Sequence, residues 1–254
     1  MPRVSVIVTT YNRKEFLTET IQSILNQTYQ DFELIVVDNF SNYDFFDLIN
    51  NFKSEKIIPF QNQNNGIIAV NHNFGIKNAK GEFLAFCDDD DSWMPKKLEE
   101  QVKILENNNS DLVYANAFTN YESGKTEITN YSATNTFNQL VFTNHITLSS
   151  VVLRNNYQIQ FNENRFFAGI EDYELWLKLS MDGFKFNFIQ TPLVKYRVLN
   201  ASFSRLSRSK NETKIIELKY TLLNNKLNFN SKLFLYSSLM KSYIRYSILK
   251  LLKR

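Results

Sequence analysis

The strongest constraint on how this chain can fold is the alternation, through its N-terminal half, of short apolar runs with stretches of helical spacing. β-Branched and apolar runs occupy Val4–Thr9, Glu33–Val37, Lys56–Phe60 and Glu82–Cys87. Between the first two, Phe16, Leu17, Ile21, Ile24 and Leu25 fall on one helical face, with Glu19, Gln22 and Asn26 opposite. Pro95 opens a further helix, where its missing N–H costs nothing, and Leu98, Val102 and Leu105 mark the buried side. Alternation of this kind predicts an α/β fold with a mostly parallel central sheet flanked by helices. The nearly continuous apolar run Phe83–Cys87 suits a strand buried on both faces. In such sheets ligands bind beyond the carboxyl ends of the strands. The residues found there are Thr9-Thr10-Tyr11-Asn12, Asp38-Asn39 and Asp88-Asp89-Asp90-Asp91, all polar.

Composition removes several classes of function. With 254 residues, 43% of them hydrophobic, the chain can bury a large core. A single cysteine, Cys87, excludes an internal disulfide framework and suits a reducing cytoplasm. Only His72 and His145 are present, so a multi-histidine zinc site is disfavoured and a bound cation would use carboxylates. A net charge of +3 without a nucleic-acid motif gives no case for DNA or RNA as partner. Neither G-x-G-x-x-G nor G-x-x-x-x-G-K-[ST] comes after the first strand, which disfavours dinucleotide and phosphate-loop sites. The N-terminus lacks the features of a secretory signal, and no stretch approaches the ~20 apolar residues of a spanning helix. The expectation is a cytoplasmic protein, soluble or peripheral at the inner face of the membrane.

Four adjacent aspartates after a buried strand repel one another, and each raises the pKa of its neighbours. A divalent cation relieves that repulsion, because hard cations prefer oxygen ligands and Mg²⁺ keeps waters and phosphate oxygens in its shell. A solvated acidic turn at the positive end of the next helix is the alternative.

The wider context bears on that choice. The segment Gly81-Glu82-Phe83-Leu84-Ala85-Phe86-Cys87-Asp88-Asp89-Asp90-Asp91-Ser92-Trp93-Met94-Pro95-Lys96-Lys97-Leu98 resembles the D-x-D region of family two glycosyltransferases, inverting enzymes of the GT-A fold. Val4-Ser5-Val6-Ile7-Val8-Thr9-Thr10-Tyr11-Asn12-Arg13 resembles their opening strand, and Ser23–Tyr29 with Phe32–Asp38 is similar to their first helix end and second strand. Gly169-Ile170-Glu171-Asp172-Tyr173-Glu174-Leu175-Trp176 resembles their E-D-x-x-L-W motif. The likeness extends over roughly residues 3 to 202.

The resemblance implies a nucleotide-sugar donor, a UDP-sugar being favoured, and a Mn²⁺ or Mg²⁺ cofactor. It implies that Thr9 and Tyr11 touch the nucleotide, with Asp38 and Asn39 at the V-D-D position beside the base. Asn39 replaces the usual acid there, which weakens a strict uridine assignment while keeping an acceptor oxygen. His72 stands where the family often has Arg, a weaker partner for diphosphate. Register on Trp93 and Pro95 makes Asp90 the first metal ligand, with Asp88 beside it near the ribose. Asp89 and Asp91 share either task. Asp172 is the implied base that deprotonates the acceptor hydroxyl, supported by Glu171. A dipole-satisfying acidic pair at a helix N-terminus is the bland alternative. Leu199 replaces a customary His, so a closing loop would use Arg197, Ser202 or Arg205.

The remainder of the chain is less patterned. Phe118–Phe142 reads as strands and loops lining an acceptor cleft, Leu148–Leu153 as a strand, and Glu171–Met181 as a helix. Residues 1–205 are expected to form the catalytic domain, about 1–117 for the nucleotide and 118–205 for the acceptor. Residues 206–254 form a basic helical extension. From Leu218 onward there are eight Lys or Arg residues and no acid, interleaved with apolar side chains. Such a helix suits either an anionic membrane surface or packing against the catalytic domain or a second subunit. The expected function is sugar transfer to a glycan or lipid-linked acceptor in surface polysaccharide or lipopolysaccharide synthesis. A nucleotidyltransferase and a non-catalytic carbohydrate- or nucleotide-binding module are the alternatives.

Overall fold

The computed structural model describes residues 1–251 apart from 108, 130, 132, 157–158, 200–207 and 226. Strands β1 (Val4–Thr10), β2 (Phe32–Asp38), β3 (Ile57–Gln61) and β4 (Phe83–Asp88) lie in the spatial order β3-β2-β1-β4, all parallel. Every residue of β1 and β2 is buried, as β-branched strands covered on both faces should be. The crossovers run through helices α1 (Lys14–Leu25), α2 (Phe45–Asn50) and α3 (Ile68–Asn78), and α4 (Lys97–Asn107) lies after β4.

The sheet continues as β4-β8-β6-β9-β5, with β5 (Ser92–Trp93), β6 (Leu112–Tyr121), β8 (Val152–Arg154) and β9 (Phe186–Val198); the short β7 (Thr126–Ile128) pairs with β6. The β6–β9 pairing is parallel along the whole of β6, whereas the antiparallel pairings are two or three residues long. By paired length the sheet is therefore mostly parallel. Helices α5 (Phe137–Leu140), α6 (Glu171–Met181), α7 (Arg208–Leu223) and α8 (Phe229–Leu251) complete the chain.

Alternate residues of the central strands feed two apolar layers, as a period of two requires. Val4, Val6 and Val8 join Leu17, Ile21, Ile24, Leu98, Val102 and Leu105 on one face. On the other, Ile7, Leu84 and Phe86 join Leu175, Trp176 and Leu179. Gly75 lets α3 lie directly on β1, since a Cβ there would stand 2.6 Å from the Ile7 Cγ2 methyl.

Two expectations need correcting. Leu148–Leu153 is not one strand: Leu148–Ser150 form a 3-10 turn, closed by the Ser150 N–H and hydroxyl on the Thr147 carbonyl, before β8 begins. Pro95 does not start α4 but sits in the Met94–Lys97 turn ahead of it. The boundary expected at 205 lies outside the described residues. Beyond it, Leu218, Leu222 and Leu235 enter the same apolar layer as Trp176, and the Ser238 hydroxyl donates to the Val141 carbonyl. The extension thus packs on the sheet-bearing body. Its outer face still exposes Leu233, Tyr236, Met240, Ile244, Ile248 and Leu251. Among the described residues no helix is long and apolar enough to cross a membrane.

Candidate active site

Strand register brings the polar strand ends to one level. Thr10 pairs with Asp38 across β1 and β2, and Thr9 pairs with Asp88 across β1 and β4. The loops beyond are tied together: the Asn12 N–H donates to the Ser41 hydroxyl at 2.8 Å, and Asn12 Oδ1 accepts from the Asn42 N–H at 2.8 Å.

The four aspartates separate into distinct environments. Asp91 turns inward; its carboxylate accepts from the Ser149 hydroxyl at 2.5 Å and from the Arg197 N–H at 2.9 Å. Desolvation, then the charge of Asp90, pushes Asp91 up to about 8. Asp89 is also buried. It accepts from the Thr10 hydroxyl at 2.8 Å and from Arg13 Nη1 at 3.0 Å, and desolvation raises it to about 6 against the pull of Arg13. Asp90 is half-buried and meets the same Arg13 Nη1 at 2.7 Å. Desolvation and the charges of Asp91, Asp90 and Asp89 drive the Asp88 carboxyl well above the usual carboxylate range. Burial is the first cause of all three rises, and Arg13 opposes it at Asp89.

Two residues expected to touch a donor lie one layer behind the surface. Asp38 is wholly buried. Its oxygens accept from the Ser41 N–H and the Gln61 amide, each at 3.0 Å, and from the Ser41 hydroxyl, so it shapes the loop that carries Asn39. His72 is sandwiched near Phe161 and Phe86, ring centroids 4.7 and 6.0 Å away. Desolvation lowers its pKa to about 3, so it is neutral, and its Nε2 stands 3.3 Å from the Thr9 hydroxyl. Asn39 remains half-exposed; its Oδ1 accepts from the Asn64 N–H at 2.9 Å and keeps a second lone pair. Tyr11 is exposed at the rim.

Glu171 and Asp172 occupy the first turn of α6. Gly169, at φ 89°, turns the chain so that its N–H donates to the Glu171 carboxylate, while Asp172 Oδ1 accepts from the Tyr173 N–H at 2.7 Å. Desolvation, then repulsion from Glu171, raises Asp172 to about 7. Such a value suits a group that must take a proton near neutrality.

Three adjoining cavities run across this edge. One of about 320 Å³ is lined by Thr9, Thr10, Tyr11, Arg13, Asn39, Asn64 and Asp89 among others. The next, about 350 Å³, shares Thr9, Arg13, Gly66, Ile68 and Asp89 with it and adds Asp88, Asp90, Glu171, Asp172, Tyr196 and Arg197. A third, about 430 Å³, shares Gly169 and Asp172 with the second and extends beneath α7 and α8. Thus Asp90 and Asp172 face one space, and Asp172 stands where two spaces meet. A cavity of about 710 Å³ behind α3 contains none of these acids.

Arg13 is the residue whose role sequence reasoning overlooked, although it ends the first motif; its pairing depends on residues more than seventy positions later. Ser149 was overlooked too. It joins Asp91, the Asp88 N–H at 3.0 Å and, through its carbonyl, the Trp93 indole at 2.9 Å. Arg197 does line the second cavity, but its guanidinium is held by Glu19 and lies 4.5 Å over the Phe16 ring. Ser202 and Arg205, the other candidates for a closing loop, lie outside the described residues. Among the described residues no group of three or more His, Cys, Asp or Glu side chains is arranged to hold a metal ion.

Comparison with known proteins bears on the family and the fold. The profile of glycosyl transferase family 2 matches residues 5–169. The Escherichia coli UDP-Glc:alpha-D-GlcNAc-diphosphoundecaprenol beta-1,3-glucosyltransferase WfaP is 33% identical over 233 residues, 86% of this chain and 88% of that protein. An uncharacterized glycosyltransferase of Methanocaldococcus jannaschii is 31% identical over 223 residues, 82% of this chain and 76% of that protein. The crystal structure of S. aureus TarS 1-349 in complex with UDP-GlcNAc superposes with a TM-score of 0.77 at 19% identity, covering 96% of this chain and 73% of that one. At that identity the likeness is one of fold, and the fold is GT-A.

Proposed function

Because the chain belongs to glycosyl transferase family 2, we propose that it transfers a sugar, with inversion, from a UDP-sugar to a lipid-linked or glycan acceptor in surface polysaccharide or lipopolysaccharide synthesis. The observation that carries this reading is the shared space between Asp90 and Asp172, which opens on one side to the Thr9–Asn39 cavity and on the other to a separate cavity. Donor and acceptor need distinct chambers that meet at the reacting carbon, and adjoining cavities that share Asp172 and Thr9 support that reading. WfaP, by its name, uses UDP-Glc and a diphosphoundecaprenol-linked sugar, which supports the choice of donor and acceptor class.

In this reading Thr9, Tyr11 and Asn39 surround the base and ribose. Asp38 holds the Asn39 loop, and neutral His72 fixes the Thr9 hydroxyl. Asp90 and Asp88 are the residues that would hold Mn²⁺ or Mg²⁺. Both offer oxygen donors to the one cavity they line with Arg13, a donor set that suits a hard cation whose remaining ligands would be water and diphosphate oxygens. When bound, the cation neutralises the departing diphosphate. Arg13 lines both donor-side cavities and adds a fixed charge beside that group. Asp172 takes the proton from the acceptor hydroxyl, whose oxygen bonds to the anomeric carbon as the bond to diphosphate breaks on the opposite side. Glu171, held against the Gly169 N–H, orients the sugar beside it.

The outer face of α8 supports contact with a membrane surface, since Leu233, Tyr236, Met240, Ile244 and Ile248 are exposed along it and Lys250 lies in its last turn. The transfer reading is tested by titrating the protein with UDP-, TDP- and GDP-sugars in the presence of Mn²⁺ or Mg²⁺ and monitoring nucleotide release. Metal-dependent binding of a UDP-sugar is expected; no binding of any nucleotide sugar with either ion would refute the reading.

A further inference from the structure

The cavity beneath the C-terminal helices has a charge pattern that a neutral sugar does not explain. Its lining combines Asp172 with Lys219 of α7 and with Lys241 and Arg245 of α8, the latter two one helical turn apart and so on one face. Lys219 is only 3% exposed. Its Nζ donates to the Ser242 hydroxyl at 2.8 Å and to the Ser238 carbonyl at 3.5 Å. Among the described residues no carboxylate lies within ion-pair distance of it. Glu212, the other acid of the lining besides Asp172, is paired with Arg245 at 3.4 Å. Lys241 reaches the Phe142 carbonyl, at 3.4 Å. Among the described residues, two of the three cations are therefore without a carboxylate, one of them buried.

A buried ammonium lacking an anion is costly, and it lowers its own pKa to reduce the cost. Lys219 does so: desolvation pulls it down to about 8, with Glu212 opposing and Lys241 and Arg245 adding to the fall. The lining also includes Tyr131 and His145, whose rings stack on each other with centroids 4.5 Å apart. The volume, about 430 Å³, is within the range of roughly 300–1,000 Å³ usual for small-molecule sites.

We propose that this cavity is an anion-reading acceptor site: it binds a sugar carried on a phosphate or diphosphate, the phosphate resting on Lys219, Lys241 and Arg245 and the sugar hydroxyl lying at Asp172. The assignment rests on the transfer reading for the role of Asp172, but the anion site stands on its own charges. Two unmatched cations complement the two negative charges of a diphosphate diester. The same chemistry is offered by a lipid-linked diphosphate sugar and by a phosphodiester polymer.

The test uses the full chain saturated with UDP and Mn²⁺, so that a diphosphate probe cannot occupy the donor side. Calorimetry then compares N-acetylglucosamine diphosphate bearing a short alkyl chain, a glycerol phosphate oligomer, and the neutral alkyl glycoside of the same sugar. Lys241→Ala/Arg245→Ala, on exposed positions, is the principal variant, and Lys219→Gln the second. A loss of roughly tenfold or more in affinity for the diphosphate probe, with UDP affinity unchanged, is expected and identifies a lipid-type acceptor. The same loss confined to the oligomer supports the site and identifies the polymer source. Equal affinity of wild type and double variant for both anionic probes, or wild-type binding no tighter than that of the neutral glycoside, overturns the proposal. Failure of the transfer reading shows separately, as absent nucleotide-sugar binding by the wild type.

Discussion

Replacing Asp172 by Asn should stabilise this protein while removing its activity, and the size of both effects follows from one environment. The carboxyl is raised from 3.8 to about 7 by desolvation and by Glu171. A carboxyl whose folded pKa lies above its unfolded value favours the folded state only when protonated. Its contribution is most favourable below the unfolded pKa and is lost as pH rises toward the folded one. A rise of about three pH units, at about 1.4 kcal/mol each, sets a ceiling of about 4 kcal/mol on the cost of the ionised form above pH 7. Solvent at the cleft mouth reduces this to roughly 1–2 kcal/mol. Asn keeps the shape and can still accept from the Tyr173 N–H, now at 2.7 Å, without the charge. Urea melts at pH 5 and pH 8 should show a larger gain for Asp172→Asn at pH 8. Single-turnover transfer, once a donor is identified, should fall about 10²–10⁴-fold. In wild type, transfer under kcat/KM conditions should drop about tenfold per pH unit below 7 as the base is protonated. A variant that is less stable at pH 8, or equally affected at both pH values, would refute the environment assigned to Asp172; near-normal turnover would sink its role as base.

Three further outcomes are expected. Asp90→Ala should lose Mn²⁺-dependent donor affinity by about a hundredfold while leaving the fold intact, because the half-buried Asp90 carboxylate hydrogen-bonds only Arg13 among the described residues; unchanged calorimetric affinity with metal present would remove it from the ion's shell. Lys97→Met should raise stability by roughly 1–3 kcal/mol, since the wholly buried Nζ has no hydrogen-bond partner and rests 3.9 Å over the Trp93 ring. Desolvation lowers Lys97 to about 7, so the ammonium penalty is full below that pH and fades toward the unfolded value near 10.5. Equilibrium melts should therefore show the gain shrinking between pH 7 and 10, and a gain that grew over that interval would contradict the assignment. Leu233→Glu/Ile244→Glu/Ile248→Glu, confined to the outer face of α8, should reduce sedimentation with anionic liposomes several-fold without lowering the melting temperature; undiminished sedimentation would exclude that face as the contact.

What could be read in advance, and what could not, divides by the distance over which interactions act. The first four strands and α6 were legible because periodicity is local, and the bounds of α6 match the expected Glu171–Met181. Asp90 and Asp172 were nominated by motifs that are themselves contiguous. The inward turn of Asp91 was not legible, since it depends on Ser149 and Arg197, 58 and 106 positions away. Nor was the burial of His72, which Phe161 seals from a loop far along the chain. The stretch Leu148–Leu153 has strand-forming residues throughout, but Ser150 closes a turn on Thr147 and breaks it. Short-range pattern overrode nothing there; a local hydroxyl bond was the stronger influence.

The division of the cleft between chain segments has a consequence for how such proteins can diversify. Every residue of the Thr9–Asn39 chamber comes from the segment ending at Asp89, inside the stretch matched by the family profile. The chamber beyond Asp172 takes its far wall from α7 and α8, outside that stretch. On the proposed roles of the two chambers, substitutions in these helices would redraw which molecule is modified while leaving the Thr9–Asn39 chamber untouched. Exchange of the C-terminal helices between relatives is the natural graft point, with α6 as the joint between a fixed engine and a replaceable mouth.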